Sequence, residues 1–306
     1  MNTTEEQGVS GTSTLALARK WIRAEALITW RMVRDNLPIG IFPVSLFALS
    51  SGIGEGLSGA DILENASKAL VIGFLFAYVY DSWGQIHSLK EDAFNKPYRP
   101  IPAGLATPQS LQQRAWIGSV LYIVMVWLLG LWVWALLWPF IIVVQSRWAP
   151  ERGYLWWKPV SNYICQVLMF ATGWHLSTSL DASAWSWILA VSAYFTLAYV
   201  IEDVRDIKGD RAIGRITLAI VLGRAFICRF FAVFMIFLPV FYFVLARMSG
   251  ADDWRGLLAA VIIGALSWTC AARALCLQGH DADKRTYLLY CLTWVLTCAS
   301  APLLLT

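Results

Sequence analysis

The sequence predicts an all-α integral membrane protein, a single bundle of nine transmembrane helices with its N-terminus in the cytosol. Of its 306 residues, 58% are hydrophobic and only 14% are charged, whereas soluble domains carry about a quarter charged residues. Apolar windows of about 20 residues, long enough to cross a bilayer as a helix, recur along the chain. They begin near residues 37, 67, 112, 131, 159, 184, 219, 255 and 285.

The placement of positive charge supports this topology. With the N-terminus in the cytosol, all but three of the 24 Lys and Arg residues fall on the cytosolic side, the exceptions being Lys68, Arg247 and Arg255. The positive-inside rule expects this asymmetry. The third and fourth windows are fused, and a break near Gly130 preserves the asymmetry, whereas one long span would invert every later loop. The net charge of +4 is therefore explained by the Lys and Arg residues on the cytosolic side of the membrane, and nucleic-acid binding is not expected.

The N-terminal region is predicted to lie outside the bilayer. Residues 1–13 read as a disordered tail, and residues 1–36 lack the apolar core of a cleavable signal peptide. Over residues 14–34 the apolar side chains fall on one helical stripe, which is typical of an interfacial helix. Residues 14–306 then form one membrane domain. The six cysteines lie mostly in apolar spans without metal-ligand spacing, and we expect them to be small core residues.

Polar residues accumulate at the cytosolic end of the second predicted span, in "YVYDSWGQIHSLKEDAFNKPYRPIPAG". If the helix is continuous, steps of three and four residues place four side chains on one face, with Glu91 on a neighbouring face. The four are Asp81, Gln85, Ser88 and Asp92. Three prolines then end the helix and stiffen a loop that carries Lys96 and Arg99.

A second acidic segment, "EDVRDIKGDRAIGR", follows the sixth predicted span. Glu202, Asp206 and Asp210 have the spacing i, i+4 and i+8, and Asp203 is offset from that stripe. Positive side chains are interspersed with these carboxylates. They are Arg205, Lys208, Arg211 and Arg215.

Both segments are predicted on the same side of the membrane, where they can form one site. Carboxylates at four-residue spacing repel each other, but Mg²⁺ is typically held by a few carboxylates together with substrate phosphates. Lys and Arg would complete a cradle for a diphosphate, and the apolar helices would accept a long hydrocarbon chain. The simpler interpretation, two solvated loops that are charged because they lie outside lipid, does not account for both stripes leading into membrane helices.

These two segments resemble the signatures of the UbiA superfamily of intramembrane prenyltransferases, and the resemblance extends over the chain from about residue 25. It implies a nine-helix bundle with a cytosolic, Mg²⁺-dependent diphosphate site. In the first motif, Gly84 and Ser88 stand where the prenyltransferase pattern has Asn and Asp, which removes two oxygen ligands that Gln85, Glu91 or Asp81 could replace. The variant "GQIHSLKEDAFNKPYRPIP" is similar to the UbiA-type terpene cyclases, and residues 30–36 and 283–295 resemble that branch more weakly.

The resemblance implies roles for individual residues. The expected Mg²⁺ ligands are Asp92, Asp206 and Asp210, followed by Glu91, Glu202 and Asp203, with Gln85 as a further catalytic residue. The expected diphosphate-binding residues are Arg34, Arg99 and Lys158, followed by Lys96 and Lys208. Alternatives remain open, because Arg34 and Lys158 also fit positive-inside anchors. Arg99 could pair with Asp92 to fix the loop.

The function predicted is cyclisation of a C15 or C20 allylic diphosphate, farnesyl or geranylgeranyl diphosphate, in the bilayer with Mg²⁺. Aromatic faces can stabilise the carbocations of such a reaction. The candidate wall residues are Tyr78, Tyr80, Trp83, Trp174, Tyr194, Tyr199 and Trp294. The first alternative is a prenyltransferase that uses an external acceptor. The second, a transporter or lipid-binding protein, would need polar groups across the bilayer, whereas the strongest polar clusters lie on one side.

Overall fold

A computed structural model describes residues 11–148, 154–248 and 254–301, and within these ranges the regular secondary structure is entirely helical. A π-helical turn (Leu37–Ile41) leads into α2, and a 3₁₀ turn (Tyr199–Ile201) joins α8 to α9. The helices are α1 (Gly11–Val33), α2 (Phe42–Gly54), α3 (Gly59–His87), α4 (Leu89–Asn95), α5 (Pro108–Leu128), α6 (Trp132–Trp148), α7 (Tyr154–His175), α8 (Ala182–Ala198), α9 (Glu202–Ala212), α10 (Leu218–Val221), α11 (Arg224–Met248), α12 (Trp254–Cys276) and α13 (His280–Ser300).

Each predicted apolar window coincides with a long helix of the described chain. Five helical segments are long and apolar enough to cross a membrane: Leu37–Gly54, Gly59–His87, Ala182–Ala212, Arg224–Met248 and Trp254–Cys276. That all nine windows cross it, with a cytosolic N-terminus, stays a prediction.

The predicted break between the third and fourth windows is confirmed. α5 ends at Leu128 and α6 begins at Trp132. Between them Gly130 has a φ of +75°, in the left-handed region that favours glycine because it has no Cβ.

The predicted interfacial segment forms α1. This helix begins at Gly11, three residues before the predicted start at 14, because backbone hydrogen bonding extends beyond the first residue of the apolar stripe. The other part of the predicted disordered tail, residues 1–10, lies outside the described residues. Ile28 and Met32 are buried, whereas Trp21 and Trp30 remain exposed.

Consecutive long helices pack against each other from α5 onward, and α13 returns to α2, which closes the bundle. One large apolar core lies among α2, α7, α8, α11, α12 and α13, and a second among α3, α5, α6 and α7. Many large apolar side chains remain exposed on the outer faces, for example Trp116 and Val120 on α5 and Phe237 and Val240 on α11. An outer surface of this kind fits a lipid environment.

The two ends of the bundle carry different polar residues: both acidic sequence motifs lie at one end, and side-chain hydrogen bonds join the helices at the other. One end, here called the site end, carries α4, α9 and the loops next to them. At the opposite end Asn65 donates a hydrogen bond to Ser177 (3.3 Å) and Thr178 donates one to Glu55 (2.8 Å).

Candidate active site

A cavity of about 360 Å³ opens at the site end, between the end of α3, α4, α7 and α9. Acidic and basic side chains line it together with amides and aromatic rings. The acidic residues are Asp81, Glu91, Glu202, Asp203, Asp206 and Asp210, and the Lys and Arg residues are Lys96, Arg99, Lys158 and Arg215. The two segments singled out in the sequence therefore do meet in one site.

The first motif does not form one continuous helix, and of the four residues predicted on one polar face only Asp92 lies outside the cavity lining. α3 ends at His87, and Ser88, with φ −111° and ψ 25°, separates it from α4. The Ser88 hydroxyl lies within hydrogen-bond distance of the carbonyl of Gly84 (2.8 Å) and of the carboxylate of Asp92 (3.3 Å). The change of direction leaves Gln85 and Glu91 on the cavity wall. Asp92 is 1% exposed and lies outside the lining.

Asp92 and Arg99 form a buried pair. One guanidinium nitrogen of Arg99 donates to both carboxylate oxygens of Asp92, at 2.8 and 2.9 Å. Burial raises the pKa of Asp92 above its ordinary value, even though Arg99 opposes that shift. Burial alone would lower the pKa of Arg99, but Asp92 and Asp81 raise it above its ordinary value. The alternative role for Arg99, fixing the loop through Asp92, thus has a geometric basis.

α4 and α9 meet face to face, and this contact brings the two acidic segments together. The carboxamide of Asn95 lies directly against Gly209, where a Cβ would overlap it, and its nitrogen donates to the carbonyl of Asp206 (3.4 Å). Arg215 lies just after α9 and pairs with Glu91 and, at 3.2 Å, with Asp210. Lys96 lies 3.9 Å from Glu91 and 4.0 Å from Asp206.

The other side of the cavity has a similar arrangement of charges. Lys158 on α7 contacts Asp203 at 2.5 Å and Glu202 at 3.0 Å. Arg205 on α9 contacts Glu202 at 2.8 Å and Asp206 at 3.4 Å, and it stacks on the ring of Tyr287.

On the α4 side of the cavity, the paired cations also shift the pKa of Glu91. Burial alone would raise this pKa, but Lys96 and Arg215 outweigh burial and hold it below its ordinary value.

Two predicted diphosphate-binding residues lie outside the cavity lining. Lys208 is exposed on the outer face of α9. The guanidinium carbon of Arg34 lies 3.7 Å from the centroid of the Tyr98 ring, and its Nε lies 3.9 Å from Oδ1 of Asp35. Tyr98 donates a hydrogen bond to Asp35 (2.5 Å), and burial together with Asp35 raises the pKa of Tyr98 to about 12. Arg34 therefore belongs to a cluster that anchors the Pro-rich loop.

Sequence reasoning assigned no binding role to several polar residues that line the cavity, among them Asn36, Asn162 and Arg215. Asn36 precedes the first span and Asn162 lies within α7, so neither belongs to an acidic motif. Arg215 was recognised only as a nearby positive charge. Its position depends on Gly214, whose φ of +74° turns the chain back after α9. In the sequence Gly214 signals a turn, but it does not indicate the partners that Arg215 meets after that turn.

The chemistry of the cavity fits Mg²⁺ that arrives with a phosphate ligand. Among the described residues no group of three Asp, Glu, His or Cys side chains converges to hold a metal by itself. Mg²⁺ usually keeps several waters and takes one or two protein carboxylates plus substrate phosphates. Glu91, Asp203, Asp206 and Asp210 supply such oxygens in one cavity, next to cations that suit phosphate.

Three of the predicted aromatic wall residues, Tyr80, Trp83 and Tyr199, line the cavity. The other four do not line it. Tyr78 lies in a groove between α1, α3 and α5, Trp174 packs against Phe47, Tyr194 stacks on Phe241, and Trp294 lies in the core against Phe170 and Phe195. Tyr199 extends the aromatic core to the cavity, because its ring contacts Tyr290, which in turn contacts Phe195.

Comparison with known proteins identifies the family. The model of the UbiA prenyltransferase family matches residues 42–296, which include both acidic segments. This chain belongs to the UbiA family. It is therefore an integral, multi-pass membrane protein of a family of enzymes, and the resemblance inferred from its sequence motifs is confirmed.

Within the UbiA family, the chain is similar to two terpene cyclases. It is 28% identical over 280 residues to somaliensene A/B synthase of Streptomyces somaliensis (90% of this chain, 92% of the relative), and 31% identical over 287 residues to diterpene cyclase eriG of Hericium erinaceus (86% and 83%). Polyprenyl transferase eriF of Hericium erinaceus is 28% identical over 265 residues (82% and 85%).

A UbiA homologue from Archaeoglobus fulgidus, solved with GPP and Mg²⁺, superposes with a TM-score of 0.62 at 13% identity and covers 89% of this chain and 99% of its own. This likeness establishes the shared fold.

Proposed function

We propose that this protein is a membrane-embedded terpene cyclase that ionises a C15 or C20 allylic diphosphate with Mg²⁺ and cyclises the resulting carbocation. The observation that carries the proposal is the single cavity in which carboxylates and cations alternate above an apolar, aromatic-rich bundle. The similarity to two terpene cyclases supports the reaction type. Farnesyl and geranylgeranyl diphosphate are the substrates we expect.

The cavity residues can divide the work of ionisation. When bound, Mg²⁺ would stabilise the charge that develops on the departing diphosphate. Asp206, Asp210 and Glu91 are the ligands we favour, with Glu202 and Asp203 beside them. Lys96, Lys158 and Arg215 are each shared between two carboxylates, so a diphosphate would compete with those carboxylates for them, and bound Mg²⁺ would supply the additional positive charge.

The roles of Asp92 and Arg99 follow from their pairing. We propose that they hold the Pro-rich loop in place, and that Arg99, which also lines the cavity, contacts the substrate from that fixed position. Arg34 and Lys208 lie outside the lining, so we do not assign them to the diphosphate. Asp92 stays in the proposed ligand set only if substrate binding releases it from Arg99.

The absence of two expected ligands favours a cyclase over a transferase. Gly84 lines the cavity without a side chain, and the hydroxyl of Ser88 is engaged with the Gly84 carbonyl. The aromatic rings of Tyr80, Trp83 and Tyr199 on the same wall can stabilise positive charge. A cyclase needs such a wall because it must protect successive carbocations from water.

Incubation without an acceptor tests the proposal. Purified protein in detergent with Mg²⁺ and either farnesyl or geranylgeranyl diphosphate should release a cyclic terpene, identified by gas chromatography with mass spectrometry. Chelation of Mg²⁺ should abolish the product. Asp206→Ala should lower turnover by about a hundredfold or more while the protein still folds and unfolds cooperatively on heating, and Asp181→Asn, at the other end of the bundle, is the control.

Prenyl transfer to an external acceptor is the second candidate, and the similarity to polyprenyl transferase eriF favours it. It predicts product only when an aromatic or other acceptor is added. A linear alcohol as the sole product, or no turnover with either substrate, would refute the cyclase proposal.

A further inference from the structure

Asp81 differs from the other acidic residues of the cavity in its partners. Each of the other five forms an ion pair with Lys or Arg. Asp81 is 4% exposed and has no such pair among the described residues. Its Oδ1 accepts a hydrogen bond from the amide of Asn36 (2.7 Å), and its Oδ2 has no hydrogen-bond partner although it is buried. One oxygen of a buried carboxylate is thus held in place, and the other has no hydrogen-bond donor among the described residues.

Asp81 also lies on a different helix from the other carboxylates of the cavity. It precedes the end of α3 at His87 by six residues, or about 9 Å along the helix axis. Tyr80, Tyr199 and Ile142 line the cavity together with it, and the paired carboxylates lie on α4 and α9. A substrate whose diphosphate occupies the charged rim would therefore place its hydrocarbon chain near this carboxylate.

We propose that Asp81 is the base that ends the cyclisation, a catalytic role that rests on the proposed cyclase function. In this step a C–H bond next to the cationic carbon breaks and its electron pair forms a C=C bond. The proton passes to Oδ2 of Asp81, and the carboxylate is regenerated by water after the product leaves. Until then the negative charge stabilises the nearby cation, because Coulomb attraction is strong where solvent is excluded.

The neutral partner of Asp81 makes this role chemically reasonable. An Arg or Lys in direct contact would neutralise the carboxylate and occupy its lone pairs, as happens at Glu91 and Asp203. The Asn36 amide instead orients the carboxylate, while Arg99, whose pKa Asp81 raises, acts on it through space and forms no ion pair with it within 4.0 Å. Gln85, one turn further along α3, likewise has a buried Oε1 without a hydrogen-bond partner on the same cavity. This part of the wall therefore contains two acceptor oxygens that no described donor satisfies.

The decisive variant is Asp81→Asn, which keeps the shape of the side chain and an oxygen to accept from Asn36 but removes the charge. We expect diphosphate release to continue, while the wild-type hydrocarbon, as a share of diphosphate released, falls by about tenfold or more and alcohols or isomeric alkenes replace it. Asp181→Asn makes the same chemical change at an exposed helix cap and should leave the product mixture unchanged.

A binding measurement provides a second readout. An isoprenoid tertiary amine, which carries the charge of the cation, should bind wild type in the presence of Mg²⁺ and inorganic diphosphate at least about tenfold more tightly than Asp81→Asn. The matching neutral ether should bind both equally. Equal amine affinity with an unchanged product mixture would overturn the proposal.

Loss of diphosphate release together with weaker Mg²⁺ binding in Asp81→Asn would make Asp81 a metal ligand and would also overturn it. A wild-type enzyme that makes no cyclic product would instead refute the cyclase function itself, so the two failures are distinguishable.

Discussion

At the scale of single residues, the cations of the cavity connect parts of the chain that are distant in sequence. Arg215 pairs with Glu91 across 124 positions, and Lys158 pairs with Asp203 across 45. Both cations are largely buried, with side-chain exposures of 14% and 17%. Ion pairs in such surroundings are weakly screened, so loss of one partner leaves a charge that is expensive to bury.

Removal of Arg99 should destabilise the protein strongly. Arg99→Ala leaves the 1% exposed carboxylate of Asp92 without its cation, and a buried charge that loses its partner costs about 3–5 kcal/mol. Arg114→Ala is the matched control, because its pair with Glu25 is more exposed, at 19% and 28%, and should contribute no more than about 1 kcal/mol.

Thermal unfolding of the substrate-free proteins in detergent measures both variants. Adding Asp92→Asn to Arg99→Ala should recover much of the loss, because the unpaired charge is then removed. If Arg99→Ala costs no more than Arg114→Ala, or if Asp92→Asn brings no recovery, the pair does not stabilise the loop.

Tyr98 predicts a specific response to alkaline pH. Its folded-state pKa of about 12 lies above the ordinary tyrosine pKa of 10.0, because burial and Asp35 disfavour the phenolate. The protonated phenol therefore stabilises the fold below pH of about 10, and this stabilisation is lost as the pH rises from about 10 to about 12. Tyr98→Phe removes the hydrogen bond to Asp35 and should cost about 1 kcal/mol at pH of about 8.

The difference in unfolding midpoint between wild type and Tyr98→Phe should accordingly shrink across this pH range. A difference that stays constant up to pH of about 12 would mean that Tyr98 does not titrate with a raised pKa.

At the scale of helices, the sequence predicted where polar residues concentrate better than it predicted how they are oriented. The spans follow from hydrophobic length, and the break at Gly130 follows from charge placement. The break at Ser88 was missed, because serine is compatible with a helix and the apolar period alone gives no sign of a cap. Beyond that break Glu91 lines the cavity, whereas Asp92 pairs with Arg99 and lies outside the lining. Partners such as Arg215 and Asn36 depend on tertiary packing, which no local pattern encodes.

The contact between α4 and α9 should be sensitive to one methyl group. A Cβ at Gly209 would overlap the carboxamide of Asn95, so Gly209→Ala should push the two helices apart at a cost of about 1–3 kcal/mol. Turnover should fall as well, since Glu91 would move away from Asp206 and Asp210. Gly59→Ala is the control, because nothing lies within 4 Å of a Cβ at that helical position.

The double variant Asn95→Ala with Gly209→Ala makes the test sharper. It removes the side chain that the new methyl group would strike, so it should be more stable than Gly209→Ala alone. A double variant that is less stable than Gly209→Ala would place the strain elsewhere in α9.

At the scale of the whole molecule, the bundle joins a charged site end to an aromatic interior. Phe47, Phe170, Trp294, Phe195 and Tyr290 form a chain of ring contacts with neighbouring centroids 4.1–5.9 Å apart. Tyr199 continues this chain to the cavity, 6.4 Å from Tyr290. The site thus has charged groups at its outer end and aromatic rings toward the interior of the bundle. This arrangement fits a substrate with an anionic head at the outer end and an apolar tail in the interior.

This polarity makes the orientation in the membrane testable. The predicted topology places the loop before α5 in the cytosol and the loop between α7 and α8 on the opposite side. Gln109, in the first turn of α5 beside the first of these loops, and Ser179, in the second loop, are both exposed. In a background where the exposed Cys276 is replaced by Ser, Ser179→Cys should react with a membrane-impermeant maleimide in intact cells. Gln109→Cys should react only after permeabilisation, because a charged reagent does not cross the bilayer.

The outcomes separate the remaining topologies. Labelling of both positions from the same side would refute the predicted arrangement of spans between α5 and α7, since an odd number of crossings must separate them. If only Gln109→Cys is labelled in intact cells, the arrangement of spans is as predicted but the orientation of the bundle is the opposite one. The charged cavity would then face away from the cytosol. The positive-inside asymmetry argues against that inversion, because the site end carries most of the Lys and Arg residues.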